Sequence, residues 1–379
     1  MLIFRPVNFA DLPQIEHLAV IAGNSMTTLP NNRDHLAELI NSTKNSLANL
    51  SPEPSSQSYH FVIENNQSKD ILGISGIEAC VGSKTPFYSY YCDNVEHKSD
   101  QLQIQNTVST LRLTQDYDGA SRLCTFYLSA DNQCAYALLL LSLSRLMFIG
   151  QHPQRFSQKL MFELQGIVDE NRQSPFWLAL GQHFFSMDFQ KANYLTGINA
   201  KSFIADLMPK HPIYVPLLDS QAQSVIGVQR PDIDVIRALL SAEGFSSKGY
   251  ISIFDAGPTL EAQTTEIKTI NQQFKTTLQV DDNPIEGELQ SVLISNNSLQ
   301  DYRCIYTSLA LPTFKRGLQG KLSLAANIAK ELKVSQGDTL YVLPVSEEQL
   351  AMHNLGSTVA TKPKPKPKPK RRKVRKVSN

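Results

Sequence analysis

The chain has one tryptophan, five cysteines and no apolar run long enough to cross a membrane. Its longest apolar stretch, Ala135 to Leu141, falls well short of the roughly 20 residues a spanning helix needs, and Ser142, Ser144 and Arg145 interrupt its continuation. Cys80, Cys92, Cys124, Cys134 and Cys304 are odd in number, widely spaced and free of any C-x-x-C pair. That argues against both a disulfide framework and a thiolate zinc site, and reads as reduced core thiols. No charged leader and apolar h-region follow Met1, which opens directly into the strand-like LIFRPV, so a cytoplasmic location is expected. Glycine is also missing between Ser121 and Ile149.

What is present is ordinary for a folded protein: 379 residues, 41% hydrophobic and 19% charged, enough for two or three domains with sizeable cores. The net charge of +1 hides an asymmetry. Ten of the 36 Lys and Arg lie in residues 362–376, so the remaining 26 stand against 35 acids and leave the body near −9. An acidic body disfavours general nucleic-acid binding. The alternating Lys-Pro run that ends in RRKVRKV cannot build a core and reads as an extended, disordered tail over 351–379. Its readings are a solubilising extension or an arm for RNA, anionic membrane or an acidic partner surface.

The centre of the chain is Arg122 to Met147. Arg122–Leu128 alternates as a strand does, Ser129–Asn132 carry turn and N-cap chemistry, and Gln133–Phe148 is apolar nearly all round, as a buried helix is. A strand turning into a helix can aim free backbone N–H groups and a helix dipole at a phosphate. It can equally be a core strand packed on a core helix that binds nothing. The missing glycine, with Tyr136 and Leu138 in its place, makes close backbone approach harder.

Before this centre the pattern predicts a strand (Leu2–Val7), Asp11 as an N-cap, a helix over Leu12–Ala22 stopped by Gly23, a helix over Arg33–Leu47, and a hairpin of Tyr59–Glu64 with Ile71–Ala79. Residues 82–120 read as irregular, with one strand pair within Leu102–Leu113. After it come a strand (Leu160–Val168), a helix begun by Ser174 and Pro175, helices over Ala200–Met208 and Val235–Ala242, and strands Tyr250–Phe254 and Thr259–Ala262. The expected domains are 1–262, a helix-and-loop linker 263–287, and a small β-rich unit 288–350 with strands Gln290–Ser295, Arg303–Leu309 and Thr339–Val345 and a helix Leu324–Leu332.

This element order resembles the GCN5-related acyltransferase fold, an α+β class with an acyl-CoA N-acyltransferase-like mixed sheet flanked by helices. More specific blocks are SPFW with LGQHFFSMDF (Ser174–Phe189), FIADLMPKHPIY (Phe203–Tyr214), and EGF followed by YISIFDAGPTLEA (Glu243–Ala262). Together with FRPV, DLPQIEHLA and TTLP they resemble the bacterial arginine N-succinyltransferases over about residues 1–350. The resemblance implies transfer of succinyl from succinyl-CoA to the α-amino group of arginine in arginine catabolism. It implies no bound cofactor or metal, with succinyl-CoA as co-substrate. It also implies a homo-oligomer or a hetero-oligomer with a paralogue. Backbone at Phe126 and Leu128 would face the acyl end, with Gln133 and Ala135 at the coenzyme turn. In the family a leucine stands where Phe126 does.

Two departures touch the chemistry. The family's general-acid histidine lies in I-G-x-x-H-P, and here Ile226, Gly227, Val228, Gln229, Arg230 and Pro231 put an arginine there. Its pKa stays above about 12, so it cannot donate a proton at neutral pH. Where the family has a basic, glycine-containing turn, this chain has Gln133, Cys134, Ala135, Tyr136, Ala137 and Leu138. His211 and His183 are alternative proton donors, or solvated histidines. Cys124 and Cys134 read as core, and Glu163, Asp169 and Glu170 as guanidinium partners or solvated acids. The two functional expectations are an active succinyltransferase and an impaired subunit paired with an intact paralogue.

Overall fold

The computed structural model describes residues 1–23, 28–51, 53–129, 135–197, 206–282, 287–310 and 320–351. The N-terminal elements are β1 (Leu2–Pro6), α1 (Leu12–Ala22), α2 (Arg33–Ala48), β2 (Ser58–Asn65), β3 (Ile71–Glu78), β4 (Ser89–Ser99), β5 (Ile104–Thr114), β6 (Ser121–Leu128) and α3 (Ala135–Gln151). Then follow β7 (Lys159–Glu163), β8 (Ile213–Tyr214), β9 (Ser246–Ile251), β10 (Pro258–Gln263), β11 (Phe274–Val280), β12 (Leu289–Asn296), β13 (Cys304–Ala310), β14 (Lys321–Leu324) and β15 (Thr339–Pro344). Among the described residues they form one mixed sheet in the order β14-β11-β15-β12-β13-β1-β2-β3-β6-β7-β10-β9-β4-β5-β8. Most neighbours are antiparallel, and β6 with β7 is a parallel pair. The fold is α+β, as the sequence pattern predicts.

The core sits on α3. Ala137, Leu139, Leu140, Leu141, Leu143, Leu146, Met147, Phe148 and Ile149 are buried against Phe61, Ile63, Ile77 and Leu123 of the sheet. Truncating one such leucine to alanine costs about 2–5 kcal/mol. The expected helix of Gln133–Phe148 is seen from Ala135 and runs on to Gln151, while its first two residues and all but Ser129 of the expected turn Ser129–Asn132 lie outside the described residues.

A second core explains the SPFW block. Ser174 Oγ accepts from Trp177 N, as an N-cap should, and the Trp177 indole N–H donates to Met187 O at 3.0 Å. Trp177 stacks on Phe185 and Phe254. Gly181 makes a slot for this ring: a Cβ there would lie 2.2 Å from Trp177, and the helical chain continues to Phe185.

Several expectations need correction. Residues 82–120 are not irregular: β4 and β5 pair over eleven positions, from Ser89↔Thr114 to Ser99↔Ile104. The far half of this hairpin is exposed on both faces, so it carries no alternation of apolar residues to read. The strand expected over Leu160–Val168 ends at Glu163, because Gly166 N turns to the Asp255 carboxylate and Leu164 N to Pro258 O. Tyr250–Phe254 does not form a strand throughout. β9 ends at Ile251, where Ser252 Oγ accepts from Phe254 N and closes a turn. The stretch 263–287 contains a full strand, β11, whose Thr276 and Leu278 are buried. Threonine and glutamine on its open face hid that pattern. Asp11 is not a helix cap in the usual sense: its carboxylate accepts from Asn8 N and from both Arg5 Nη atoms at 2.8 Å. The helix expected over Ala200–Met208 and the basic tail fall almost wholly outside the described residues.

Candidate functional site

At the middle of the sheet two parallel strands part. β6 and β7 are paired at Ser121↔Leu160, Arg122↔Met161 and Leu123↔Phe162, and there the pairing stops although β6 continues to Leu128. β7 is drawn away by the DAGP turn. Asp255 Oδ2 accepts from Gly166 N and Oδ1 from Gly257 N, at 2.9 and 3.0 Å. The backbones meet so closely that a Cβ on Gly166 would lie 2.1 Å from Asp255 O. Ala256 O in turn accepts from Gly227 N, which fixes the segment leading to Arg230.

On its other edge β6 stays paired with β3 through a bulge: Gly76 opposes Cys124 and Ile74 opposes Tyr127, so Ser75 alone faces Thr125 and Phe126. Thr125 has φ +49. Its N–H donates to Thr28 Oγ1 at 3.0 Å and its hydroxyl to Thr28 O at 3.2 Å. Beneath the bulge lies Arg145 of α3, only 1% exposed. Its Nη1 reaches Gly76 O and Cys124 O at 3.4 Å, and its guanidinium sits 4.8 Å from the centre of the Phe126 ring. Burial lowers its pKa to about 9. The Phe126 side chain is thus held in the core, while its backbone borders the opening between β6 and β7.

Beside the bulge is a cleft of about 450 Å³ lined in part by Thr28, His35, Glu38, His60, Glu78 and Arg122. Arg122 donates to Glu78 (2.8 and 3.1 Å) and to Glu163 (3.1 Å). Burial opposes its charge, but the two carboxylates outweigh that and raise its pKa. Glu163 is therefore committed to an ion pair in this state.

Arg230 is held in place rather than free. Its N–H donates to Gln165 O at 2.9 Å, Nη1 to Gln165 Oε1 at 3.1 Å, and Nε and Nη2 bind the Asp232 carboxylate. Phe126 and Leu128 flank the opening on β6. Ala135 begins α3, and Gln133 and Cys134 lie outside the described residues. Cys124 is buried, and desolvation raises its thiol to about 11, so it is no ready nucleophile. Asp169 closes its own loop by accepting from Asn171 N and Gln173 N, and Glu170 is exposed. His183 is exposed, and so is His211, which precedes the edge strand β8, five strands beyond β6's neighbour β7 in the sheet order.

Residues 2–269 match the family model described as arginine N-succinyltransferase beta subunit, and residues 274–344 match the model of that subunit's C-terminal domain. The chain belongs to the arginine N-succinyltransferase family. It is 38% identical over 350 residues to the arginine N-succinyltransferase of Yersinia pseudotuberculosis serotype O:3 (strain YPIII), covering 90% of this chain and 97% of that one. It is also 38% identical over 348 residues to arginine N-succinyltransferase subunit beta of Pseudomonas aeruginosa, covering 92% and 99%. A solved structure, arginine/ornithine succinyltransferase subunit AI from Pseudomonas aeruginosa, superposes with a TM-score of 0.81 at 33% identity, covering 92% of this chain and 99% of that one. Sequence reasoning in the family frame missed His60, Thr125 and Arg145. His60 and Arg145 sit within apolar stretches, HFVI and LLLLSLSRLMF, where a buried polar residue among hydrophobics was the available signal.

Proposed function

We propose that this chain is an acyl-CoA-dependent N-acyltransferase that moves succinyl from succinyl-CoA to the α-amino group of arginine. The observation that carries the reading is the parting of β6 from β7 after Leu123–Phe162. It leaves backbone at Phe126 to Leu128 open toward a gap, as an extended acyl-thioester chain requires, in a GCN5-related acyltransferase-like arrangement. Gln133 and Ala135 would receive the pyrophosphate at the start of α3. No metal is needed for this chemistry, and among the described residues no cluster of three or more His, Cys, Asp or Glu stands ready to hold one.

The amine attacks the thioester carbonyl once it has lost its proton to solvent; the C–N bond forms, the C–S bond breaks, and the thiolate takes up a proton. A thiol of this type has a pKa near 8.5, so water can protonate it and a general acid is helpful rather than obligatory. Arg230 cannot fill that role, and His211, the candidate from the chain itself, lies exposed beside edge strand β8, away from the β6–β7 opening, which leaves solvent as the proton source. The protein acts in the cytoplasm, in arginine catabolism, as a homo-oligomer or with a paralogue.

A second reading, a subunit dependent on an intact paralogue, is favoured by one observation: Arg230 and its Asp232 ion pair stand where the family's acid does. One preparation decides between them. The chain is titrated calorimetrically with succinyl-CoA and then assayed for arginine-dependent thiol release. Micromolar binding with turnover supports the transferase acting alone. Folded protein that does neither points to the partner chain.

A further inference from the structure

We propose that His60 is a positioning residue for acyl transfer, acting through Thr125 to hold the bulge that presents the Phe126–Leu128 backbone to the thioester; this rests on the succinyl-transfer reading. His60 lies on β2 opposite Gly76 of β3 and is 5% exposed. Its ring occupies a slot that exists because residue 76 is glycine: a Cβ there would lie 2.6 Å from His60 Cδ2. The ring has a polar neighbour at each nitrogen. Nε2 is 3.2 Å from Thr125 Oγ1, and Nδ1 is 3.4 Å from Thr43 Oγ1.

Both hydroxyls spend their hydrogens on backbone carbonyls, Thr125 Oγ1 on Thr28 O and Thr43 Oγ1 on Leu39 O, so an uncharged ring with a single N–H can bond only one of them. The shorter contact, Nε2 to Thr125, is assigned that hydrogen, and Nδ1 then only packs beside Thr43. Thr43 anchors the other end, donating to Leu39 O and accepting from His60 N, both at 3.0 Å. The chain of bonds therefore runs from α2 through β2 to the one residue of β6 with left-handed φ. A β-branched residue rarely adopts that conformation and keeps it only where its surroundings over-determine it. Here the determinants are Thr28, bonded to both Thr125 N and Oγ1, and His60 behind the hydroxyl. Since the bulge sets the direction of the backbone that follows, releasing it misaims the donors at Phe126 and beyond.

The groups facing the ring are Glu78 on β3, His35 on α2 and Arg122 on β6. Burial outweighs Glu78 and keeps His60 uncharged across the working range, with a pKa lowered to about 4. An uncharged ring fits positioning and not proton transfer.

The test compares wild type, His60→Val and His60→Gln, the last of which carries an amide N–H to about the place of Nε2. Expected for H60V, in protein shown to be folded, is a kcat lower by on the order of tenfold or more with both KM values within about twofold. H60Q recovers most of it, and the ratio of wild-type to H60V kcat is flat from about pH 6 to 9. An unchanged kcat in H60V, equal loss in H60Q, or a ratio that varies with pH overturns the proposal. Amide hydrogen exchange at Thr125, faster in H60V, is measured on the same proteins. Wild type without turnover counts against succinyl transfer, and the exchange comparison then decides the His60–Thr125 link by itself: unchanged exchange overturns it.

Discussion

The ring of Tyr136 lies flat on that of Tyr306, with centroids 5.1 Å apart and planes 4° from parallel. Tyr136 opens α3 at the end that would face a coenzyme phosphate, and Tyr306 belongs to β13, where its hydroxyl bonds Ser291 Oγ at 2.8 Å. The phenol that looks obstructive in sequence is thus drawn sideways onto the C-terminal strands. Tyr136 is 40% exposed, so the pair is worth only about 0.5 kcal/mol beyond its buried area. A double-mutant cycle with Tyr136→Ala and Tyr306→Ala should return that coupling in urea unfolding. Y306A alone should also weaken succinyl-CoA binding, as the released ring swings across the turn; tighter binding in Y306A would contradict this.

The opening strand, two helices and hairpin were legible because each shows a clean period and a clean stop, down to Gly23 at φ +71. The β4–β5 hairpin was not, since its outer half has no buried face to impose alternation. At the candidate site, the family pattern pointed to Phe126 and Arg230. The parting of β6 and β7 depends on Asp255 meeting Gly166 across 89 residues of chain, and no local pattern carries that. His60 fell to the same limit: its meaning lies in Gly76 and Thr125, on two other strands.

Arg230 offers the most direct gain of function. Replacing it with histidine removes the ion pair to Asp232 and supplies an imidazole able to protonate the departing thiolate. A well-placed general acid contributes roughly 10²- to 10⁴-fold, and solvent already covers part of that. R230H should therefore raise kcat by about tenfold or more while KM for succinyl-CoA holds, read as thiol release at about pH 7.5. A fall in kcat would mean that the guanidinium itself serves the reaction.

Asp255 accepts from two backbone N–H groups, and asparagine can replace only one of those acceptors. Asp255→Asn should cost about 1–3 kcal/mol, because one of these close-packed donors is left unpaired. It should also loosen the Ala256–Gly227 contact that carries Arg230. Urea unfolding reads the first effect and amide exchange at Gly227 the second. Loss of stability with Gly227 unaffected would separate the turn from the Arg230 segment.

The slot around His60 makes a stability test independent of activity. Adding a Cβ at Gly76 drives it into the ring, so Gly76→Ala should destabilise by about 1–3 kcal/mol in wild type. In an H60V background the same change should cost less, because the two ring atoms it strikes at 2.6 and 2.7 Å are gone and only Cys124 Sγ, at 3.0 Å, still stands close. Additive losses would show that Gly76 is needed for the bulge itself.

His60 also sets the response to acid, and the sign follows from its lowered pKa. Unfolded, the ring titrates near its ordinary 6.5; folded, burial holds it near 4. Above about pH 6.5 both states are neutral and the group contributes nothing to the pH dependence. Between about 6.5 and 4 the unfolded chain binds a proton that the folded chain refuses, so stability falls by about 1.4 kcal/mol per pH unit and levels off below 4. His152 behaves alike, lowered to about 4 by burial and by Arg155, but it is present in every variant and cancels in a comparison. Urea unfolding of wild type and H60Q at about pH 7.5 and 5.0 isolates the difference. Wild type should lose about 2 kcal/mol more than H60Q over that interval. Equal losses would mean that the ring is protonated in the folded state, that Nε2 and Nδ1 both donate, and that His60 carries charge beside Arg122.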